Sequence, residues 1–344
     1  MPPFNDYTWH EIQSQPDAWA ATLALLQARG DELRMFLRAN PVSQVLYTGC
    51  GSTYYLALAA AAALRELAGL PAAGLPASEV WLNPAGSCPT SQPTMLVAIS
   101  RSGATTETLR AIESFRAAGR GPILTLSCYP DQPMARLGDL NLVLVAGQEQ
   151  SIAQTRAFST LLLACLALAS AWGERAALQA ELERLPAAGR QLLGTYAALA
   201  HELGANTPAD RYFFLGSGAR YGLACELSLK MKEMSLSESE PFHFLEYRHG
   251  PQSMARPGTL IVGLHSDSIH TYEAAVLAEM RALGAQAVSI GTHDADVTLA
   301  DIAEPVRGPL YLPFGQMLAY ERAIRRGLTP DQPSQLTAVV RLDR

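Results

Sequence analysis

The sequence predicts an α/β protein of two tandem domains, each a parallel sheet with helices on both faces. Its 344 residues are enough for two domains. Short apolar strands alternate with helical segments along most of the chain, which is typical of parallel sheets covered on both faces. One glycine turn also occurs twice, 167 residues apart, and this repeat indicates two copies of one fold.

The predicted elements divide the chain into five segments. They are an N-terminal helical segment at 1–35, a first domain at 36–175, a linking helix at 176–205, a second domain at 206–330 and a C-terminal tail at 331–344. The predicted strands are 42–47, 94–99, 123–127 and 140–145 in the first domain, and 212–215, 259–264 and 287–290 in the second. Helices are predicted at 105–118, 155–172, 219–236, 272–283 and 316–326.

The repeated turn joins a strand to a helix in both domains. Tyr47–Tyr54 contains Gly-x-Gly with a tyrosine three residues after the second glycine, and Phe214–Tyr221 contains the same pattern. A dinucleotide-binding turn would carry a third glycine where both copies have tyrosine. We therefore interpret the two turns as tight connections of a duplicated fold rather than as nucleotide sites.

Composition excludes several classes of partner. The net charge is −6 and no basic cluster is present, so we expect no binding to nucleic acid. The longest apolar stretches, 56–64 and 161–172, are too short to span a membrane, and the first residues lack a signal core. Five scattered cysteines indicate neither a disulfide framework nor a zinc site. We expect a cytoplasmic protein that does not bind membranes.

A hydroxyl-rich loop is the first candidate for chemistry. Ser100-Arg101-Ser102-Gly103-Ala104-Thr105 follows an apolar strand and opens a helix, where backbone N–H groups and the helix dipole favour an anion. Ordinary helix capping by Ser102 or Thr105 is the alternative. Since three hydroxyls and a glycine exceed what one cap requires, the loop predicts a phosphate site.

Ionisable residues follow the second glycine turn. Glu226, Lys230 and Glu233 share one helix face at spacings of four and three, which also suits a surface ladder of salt bridges. Arginine fills 24 of the 26 cationic positions, and both lysines, Lys230 and Lys232, lie here. Because a lysine pKa can be tuned and that of arginine cannot, this bias favours a chemical role.

Imidazoles and acids then follow in a short stretch. His243, Glu246 and His249 do not share one helical face and match no standard zinc spacing, so we expect no metal. His249 could simply cap a helix before Gly250. An acid and a histidine near a phosphate site would also serve proton transfer at a sugar carbonyl.

Taken in order, these segments resemble the sugar isomerase (SIS) domain family over nearly the whole chain. The similarity is to the double-SIS isomerase half of glucosamine–fructose-6-phosphate aminotransferase and to stand-alone amino-sugar-phosphate deaminase/isomerases of the tagatose/galactosamine-6-phosphate type. The matching segments are Gly49–Thr53, Ala77–Glu79, Ile99–Thr105, Thr155–Phe158, Leu229–Glu233, His249–Pro251, Asp331–Pro333 and the opening Thr8–Ile12. The resemblance implies two SIS domains, each a flavodoxin-like three-layer sandwich.

The resemblance also implies a site and its residues. Positions that bind the sugar phosphate in the family correspond here to Cys50, Gly51, Ser52, Thr53, Ser100, Arg101, Ser102, Thr105, Ile152 and Ala153. Glu233 falls on the family's base, with Lys230 beside it, and His249 falls on the histidine linked to ring opening. In the family that histidine reaches the neighbouring subunit's site. The resemblance therefore implies a homodimer with shared sites, a small sugar phosphate as partner and no cofactor.

Two positions depart from the synthases of this family. Residue 2 is proline where the glutaminase nucleophile is cysteine, so we expect no glutamine-dependent synthesis by this chain alone. Ala338 falls where the synthases carry the lysine that forms a Schiff base, and no lysine lies near it. Arg341 cannot replace that lysine because a guanidinium stays protonated.

The sequence thus favours a phosphosugar isomerase or deaminase that acts by C1/C2 proton transfer on a hexose or amino-hexose 6-phosphate. A non-catalytic phosphosugar sensor is one alternative, because the loop lysine is absent. An isomerase subunit supplied with ammonia by a separate glutaminase is another. Glu233 and His249 favour the enzyme over the sensor.

Overall fold

The computed structural model describes residues 6–87 and 92–342. The chain forms two compact units, each assembled from separate stretches of sequence. The first-sheet unit comprises Asp17–Glu149, Arg156–Glu183 and Thr337–Arg344, and the second-sheet unit comprises Met1–Pro16, Gln150–Thr155 and Arg184–Leu336. Pro2 and Cys88, which enter the sequence analysis, lie outside the described residues.

The elements alternate as the sequence predicts. The helices are α1 (Tyr7–Gln13), α2 (Gln15–Ala28), α3 (Gly30–Ala39), α4 (Ser52–Ala68), α5 (Ala77–Leu82), α6 (Pro84–Ser87), α7 (Thr106–Ala117), α8 (Arg156–Trp172), α9 (Ala177–His201), α10 (Ala219–Ser235), α11 (His270–Ala282) and α12 (Leu312–Arg325). The strands are β1 (Gln44–Gly49), β2 (Ala72–Pro76), β3 (Thr94–Ser100), β4 (Ile123–Ser127), β5 (Leu140–Val143), β6 (Arg211–Gly216), β7 (Glu238–Phe242), β8 (Thr259–Leu264), β9 (Gln286–Gly291) and β10 (Val297–Thr298). Short 3₁₀ turns connect several of them.

The first sheet is parallel throughout, with strand order β2-β1-β3-β4-β5. Every residue of β3 and of β4 is buried, because helices cover both faces of a parallel sheet. Leu46, Leu96 and Ile123 pack against Ile112 and Phe115 of α7 in one apolar core. This core fixes the carboxyl ends of β1 and β3, where the predicted phosphate loop begins.

The second sheet repeats the first. Its order, β10-β9-β8-β6-β7, is the same arrangement when β6 is matched to β1, and all its pairs are parallel. Gly51 before α4 has φ 54° and ψ −123°, and Gly218 before α10 has φ 59° and ψ −131°. Side chains other than glycine rarely adopt such angles. The shared topology and backbone confirm the duplicated fold that the repeat predicts.

The strands that the sequence analysis missed are β2, β7 and β10, and all three lie at sheet edges. Strand β2 reads Ala-Ala-Gly-Leu-Pro and β7 reads Glu-Ser-Glu-Pro-Phe. Alanine, glycine, glutamate and proline are depleted in strands, but an edge strand tolerates them because one side of its backbone stays unpaired. Apolar runs therefore reveal the central strands and the edge strand β5, whereas β2 and β7 carry no such run.

Two further findings concern the described residues. No helix among them is long and apolar enough to cross a membrane. Cys50, Cys128, Cys165 and Cys225 carry free thiols there, and burial raises the pKa of each of these thiols. Their chemistry is that of small apolar side chains.

The close approach of the second glycine turn to its own helix gives a test of the fold. A Cβ atom at Gly216 would lie 2.4 Å from the carbonyl oxygen of Arg220, so we expect Gly216→Ala to lower the free energy of unfolding by about 2–3 kcal/mol. Chemical denaturation measures this. The matched control is Gly194→Ala on α9, where nothing lies within 4 Å and alanine should stabilise the helix by about 0.5–1 kcal/mol. Equal stability of the two variants would contradict the tight turn.

Candidate functional site

Three hydroxyls converge at the carboxyl end of β3. The oxygen of Ser100 lies 3.4 Å from those of Ser102 and Thr105, and the Ser102 and Thr105 oxygens are also 3.4 Å apart. The N–H of Gly103 donates to Ser100 Oγ at 3.1 Å, and the N–H of Ala104 donates to Ser102 Oγ at 3.2 Å. We call this set of three hydroxyls the hydroxyl triangle. The structure thus brings together the three residues that the sequence predicts to bind phosphate.

The hydroxyl triangle does not serve as an ordinary helix cap. Thr105 occupies the N-cap position of α7, yet its side chain makes no capping hydrogen bond. The first N–H groups of a helix and its dipole attract anions. A tetrahedral oxyanion could therefore accept hydrogen bonds from these hydroxyls and from the start of a helix that is twelve residues long.

Arg101 lies in the same loop but its guanidinium is already engaged. It is 6% exposed, forms an ion pair with Glu149 at 3.2 Å and donates to the carbonyl oxygen of Ala338 at 3.3 Å. Glu149 also accepts the N–H of Ala157 at the start of α8, at 3.1 Å. Arg101 therefore connects the Ser100–Thr105 loop, the serine loop, to α8 and to the C-terminal tail.

The turn after β1 lies beside the hydroxyl triangle, because β1 and β3 are neighbours in the sheet. The N–H of Cys50 donates to Thr53 Oγ1, and the Thr53 hydroxyl donates back to the Cys50 carbonyl, both at 2.9 Å. Cys50 Sγ lies 3.5 Å from Thr108 Oγ1 on α7. Gly51 and Ser52 follow at the point where α4 begins. The Thr53 hydroxyl thus closes the turn through its hydrogen bonds with Cys50. Ser52 is the first residue of α4.

In the second-sheet unit, α10 carries a buried ion-pair cluster. The side chains of Lys230 and Glu226 are fully buried and lie 3.3 Å apart, and Lys230 also pairs with Glu233, whose side chain is 20% exposed. The spacing along one helical face brings all three together, as the sequence predicts. Burial excludes the alternative of a solvated surface ladder.

The cluster fixes the charge of its lysine. Burial by itself lowers the pKa of Lys230, but the carboxylates of Glu226 and Glu233 outweigh it, and the net pKa lies above its ordinary value. Lys230 is therefore a permanent ammonium at neutral pH. Its positive charge lies beside Glu233, whose side chain is at the partly exposed edge of the cluster.

His249 occupies a separate position in the same unit. It follows a 3₁₀ turn at Glu246–Arg248 and precedes Gly250, and its side chain is exposed. His243 stacks on Tyr221 with ring centroids 3.8 Å apart, so its ring is engaged with an aromatic partner. Within residues 6–87 and 92–342, no group of three or more His, Cys, Asp or Glu side chains is arranged to hold a metal ion.

Ile152 and Ala153 lie in the segment Gln150–Thr155, which belongs to the second-sheet unit. Ala153 is 1% exposed, and the N–H of Ile152 donates to the carbonyl oxygen of Asp331 at 3.0 Å. Sequence analysis missed the acidic partners of this segment, Glu11 and Asp331. Both stand in stretches that carry the family resemblance, which is the one signal that could have drawn attention to them.

The second sheet has a loop in the place of the serine loop, after β8, but its chemistry differs. The carboxylate of Glu273 already accepts the N–H and the hydroxyl of Ser266, at 2.6 and 2.9 Å. Asp267 accepts Thr292 Oγ1 at 2.7 Å and pairs with Arg307, whose hydrogen bonds lower the pKa of Asp267 to about 2. The carboxylate of Glu273 thus takes hydrogen bonds of this loop that a bound anion would otherwise accept.

Comparison with known proteins gives the family and its relatives. The SIS domain model matches residues 40–171 and 207–303. Glutamine–fructose-6-phosphate aminotransferase [isomerizing] from Xanthomonas campestris is 28% identical over 99% of this chain, and the same enzyme from Aeropyrum pernix is 31% identical over 97%. The chain spans about three fifths of the length of these relatives, 60% and 57% respectively.

Solved structures resemble the chain along its whole length. Glucosamine-6-phosphate deaminase from Thermotoga maritima is 26% identical, with a TM-score of 0.84 over 97% of this chain and 99% of that one. Tagatose-6-phosphate ketose/aldose isomerase from Escherichia coli is 22% identical, with a TM-score of 0.87 over 96% of each chain. The second likeness supports the fold alone.

The loop after β8 makes the stability of the protein depend on pH through His265. This residue is 3% exposed, and burial, with smaller contributions from His270, Arg281 and Arg220 against Asp296, lowers its pKa to about 4. The unfolded state binds a proton near pH 6.5, so the folded state loses stability as the pH falls from about 6.5 to 4, by up to about 3 kcal/mol.

Chemical denaturation at pH 7 and at pH 4.5 tests this dependence. In His265→Leu, which has no titratable ring, we expect the difference in unfolding free energy between the two pH values to shrink by about 2–3 kcal/mol. His10→Leu, at an exposed position on α1 in the same unit, is the control and should leave the difference unchanged. An unaltered pH dependence in His265→Leu would contradict the neutral buried imidazole.

Proposed function

Because the chain belongs to the SIS domain family, we propose that it is a phosphosugar isomerase acting on a hexose or amino-hexose 6-phosphate. It moves a proton between C1 and C2 of the open-chain sugar. With an amino sugar, water then hydrolyses the resulting imine and releases ammonia. The observation that carries this proposal is the ion pair between buried Lys230 and the partly exposed Glu233.

The hydroxyl triangle binds the phosphate group in this proposal. Its three oxygens, each 3.4 Å from the others, and the first N–H groups of α7 are all suited to donate to an oxyanion. In the corresponding loop after β8, the carboxylate of Glu273 already takes the N–H and the hydroxyl of Ser266. These contrasting loops support one phosphate site per chain.

Glu233 is the base that transfers the proton. A carboxylate held by a buried ammonium keeps its position, and its exposed edge can take the proton from one carbon and return it to the next. His249 is proposed to assist ring opening, and its exposed side chain is compatible with a role in the site of a second subunit. We therefore propose a homodimer.

A Schiff base on an enzyme lysine is not part of this mechanism. Lys230 is fully buried and its pKa is raised by two carboxylates, so it offers no free amine. At the position of the synthases' loop lysine stands Ala338, whose carbonyl accepts a hydrogen bond from Arg101. Proton transfer by Glu233 requires no such lysine.

The assignment of Glu233 is tested with the variant Glu233→Gln. An amide cannot accept the proton, so we expect turnover to fall about 10²–10⁴-fold while binding of the sugar phosphate changes little. The assay incubates a panel of hexose and hexosamine 6-phosphates with the protein and follows ketose formation, ammonia release and C2 proton exchange in deuterated water.

Lys232→Gln, on the same helix but exposed, is the matched control and should turn over at the wild-type rate. Full activity in Glu233→Gln would overturn the role of this residue. Tight binding by the wild type without proton exchange would instead identify a phosphosugar sensor. Formation of an amino sugar from fructose 6-phosphate and ammonia would identify an ammonia-dependent isomerase subunit.

Borohydride trapping tests the absence of an enzyme-linked imine. Since Lys230 is an ion-paired ammonium, we expect borohydride treatment with a ketose 6-phosphate to add no sugar to the Leu229–Glu233 region. Mass spectrometry of the digested protein measures this. A reduced sugar adduct on Lys230 would show that the amine is free and would contradict the proposed protonation state.

A further inference from the structure

We infer that Glu11 and Asp331 are positioning residues that set the shape of the segment Gln150–Ala153 for the sugar. This inference rests on the proposed function and deepens it, because Ile152 and Ala153 are the residues assigned to the sugar. Neither acid is proposed to touch the substrate. Their role follows from the hydrogen bonds they accept within the second-sheet unit.

Glu11 on α1 holds the first half of the segment. Its carboxylate is 4% exposed and accepts the N–H of Gln150 at 2.5 Å, the N–H of Ser151 at 3.4 Å and the hydroxyl of Ser151. The same hydroxyl lies 3.0 Å from the carbonyl of Ala153. One side chain from the N-terminal helix thus fixes two consecutive residues of the segment, Gln150 and Ser151.

Asp331 holds the second half. It is 5% exposed, and its carbonyl accepts the N–H of Ile152 at 3.0 Å. Its carboxylate accepts the N–H of Tyr7 at 3.1 Å and both the N–H and the hydroxyl of Thr8 at 2.8 Å. Asp331 therefore joins the start of α1 directly to Ile152.

The segment needs these acids because it has no regular structure of its own. It lies between the 3₁₀ turn Val145–Gly147 and the first residue of α8, outside any helix or strand, yet Ser151 and Ala153 are almost fully buried. Buried backbone groups require partners, and a buried carboxylate requires donors even more strongly. Each satisfies the other, so the shape of the segment depends on Glu11 and Asp331.

The test compares Glu11→Gln with the wild type in binding and kinetics. An amide accepts fewer hydrogen bonds than a carboxylate, so we expect the Kd and KM for the sugar 6-phosphate to rise about tenfold, with kcat within about twofold. Affinity for inorganic phosphate should not change, since the hydroxyl triangle is held by hydrogen bonds within its own loop. Amide hydrogen exchange at 150–153 should accelerate in the variant.

Two variants separate positioning from general destabilisation. Ser151→Ala removes the hydroxyl that Glu11 binds, so the double variant Glu11→Gln with Ser151→Ala should bind the sugar phosphate no more weakly than Glu11→Gln alone. Glu32→Gln, a half-exposed glutamate on α3 paired with Arg29, is the control and should leave sugar affinity unchanged.

The outcomes distinguish the two proposals. Wild-type protein that binds none of the sugar phosphates overturns the proposed function, and the positioning role falls with it. Wild-type protein that binds a sugar phosphate, with Glu11→Gln binding it equally tightly, overturns the positioning role alone. An equal loss of affinity for inorganic phosphate and for the sugar phosphate in Glu11→Gln also overturns it, because the effect would then not be specific to the segment.

Discussion

In each sheet the second strand lies on one side of the first strand, and the later strands follow on the other side. This change of direction decides where a ligand can bind. Strands β1 and β3 are neighbours, but their connections leave toward opposite edges of the sheet, so the loops at their carboxyl ends diverge and open a crevice. The hydroxyl triangle lies at this point. The buried strands fix the position of these loops, and the loops carry the converging hydroxyls.

Duplication gave the second sheet the same strand order as the first, and the chemistry of its loops has diverged. The turn at Gly218 keeps the backbone conformation of the turn at Gly51. At the start of α11, however, the carboxylate of Glu273 takes the hydrogen bonds that an anion would need. The repeat therefore preserves the fold, while α10, the helix after its glycine turn, carries the Glu226–Lys230–Glu233 cluster.

The sequence was sufficient for the local features and insufficient for the long-range ones. Hydroxyls within six residues and charges on one helix face are brought together by local geometry, so Ser100, Thr105, Lys230 and Glu233 could be predicted. Glu11 meets Ser151 across 140 residues, and Asp331 meets Thr8 across 323. No period or spacing encodes such contacts, just as β7, with its two glutamates and proline, shows no strand pattern.

The lysine at position 230 suits what the buried cluster requires. A guanidinium binds carboxylates through a broad planar fork, whereas an ammonium is compact and can lie between two acids on adjacent turns of one helix. Lys230 fills that place with no exposed surface. Its two carboxylates keep it protonated, which removes it as a nucleophile and retains it as a fixed positive charge beside Glu233. The ion pairs that place this charge beside Glu233 are therefore also the reason that Lys230 offers no free amine.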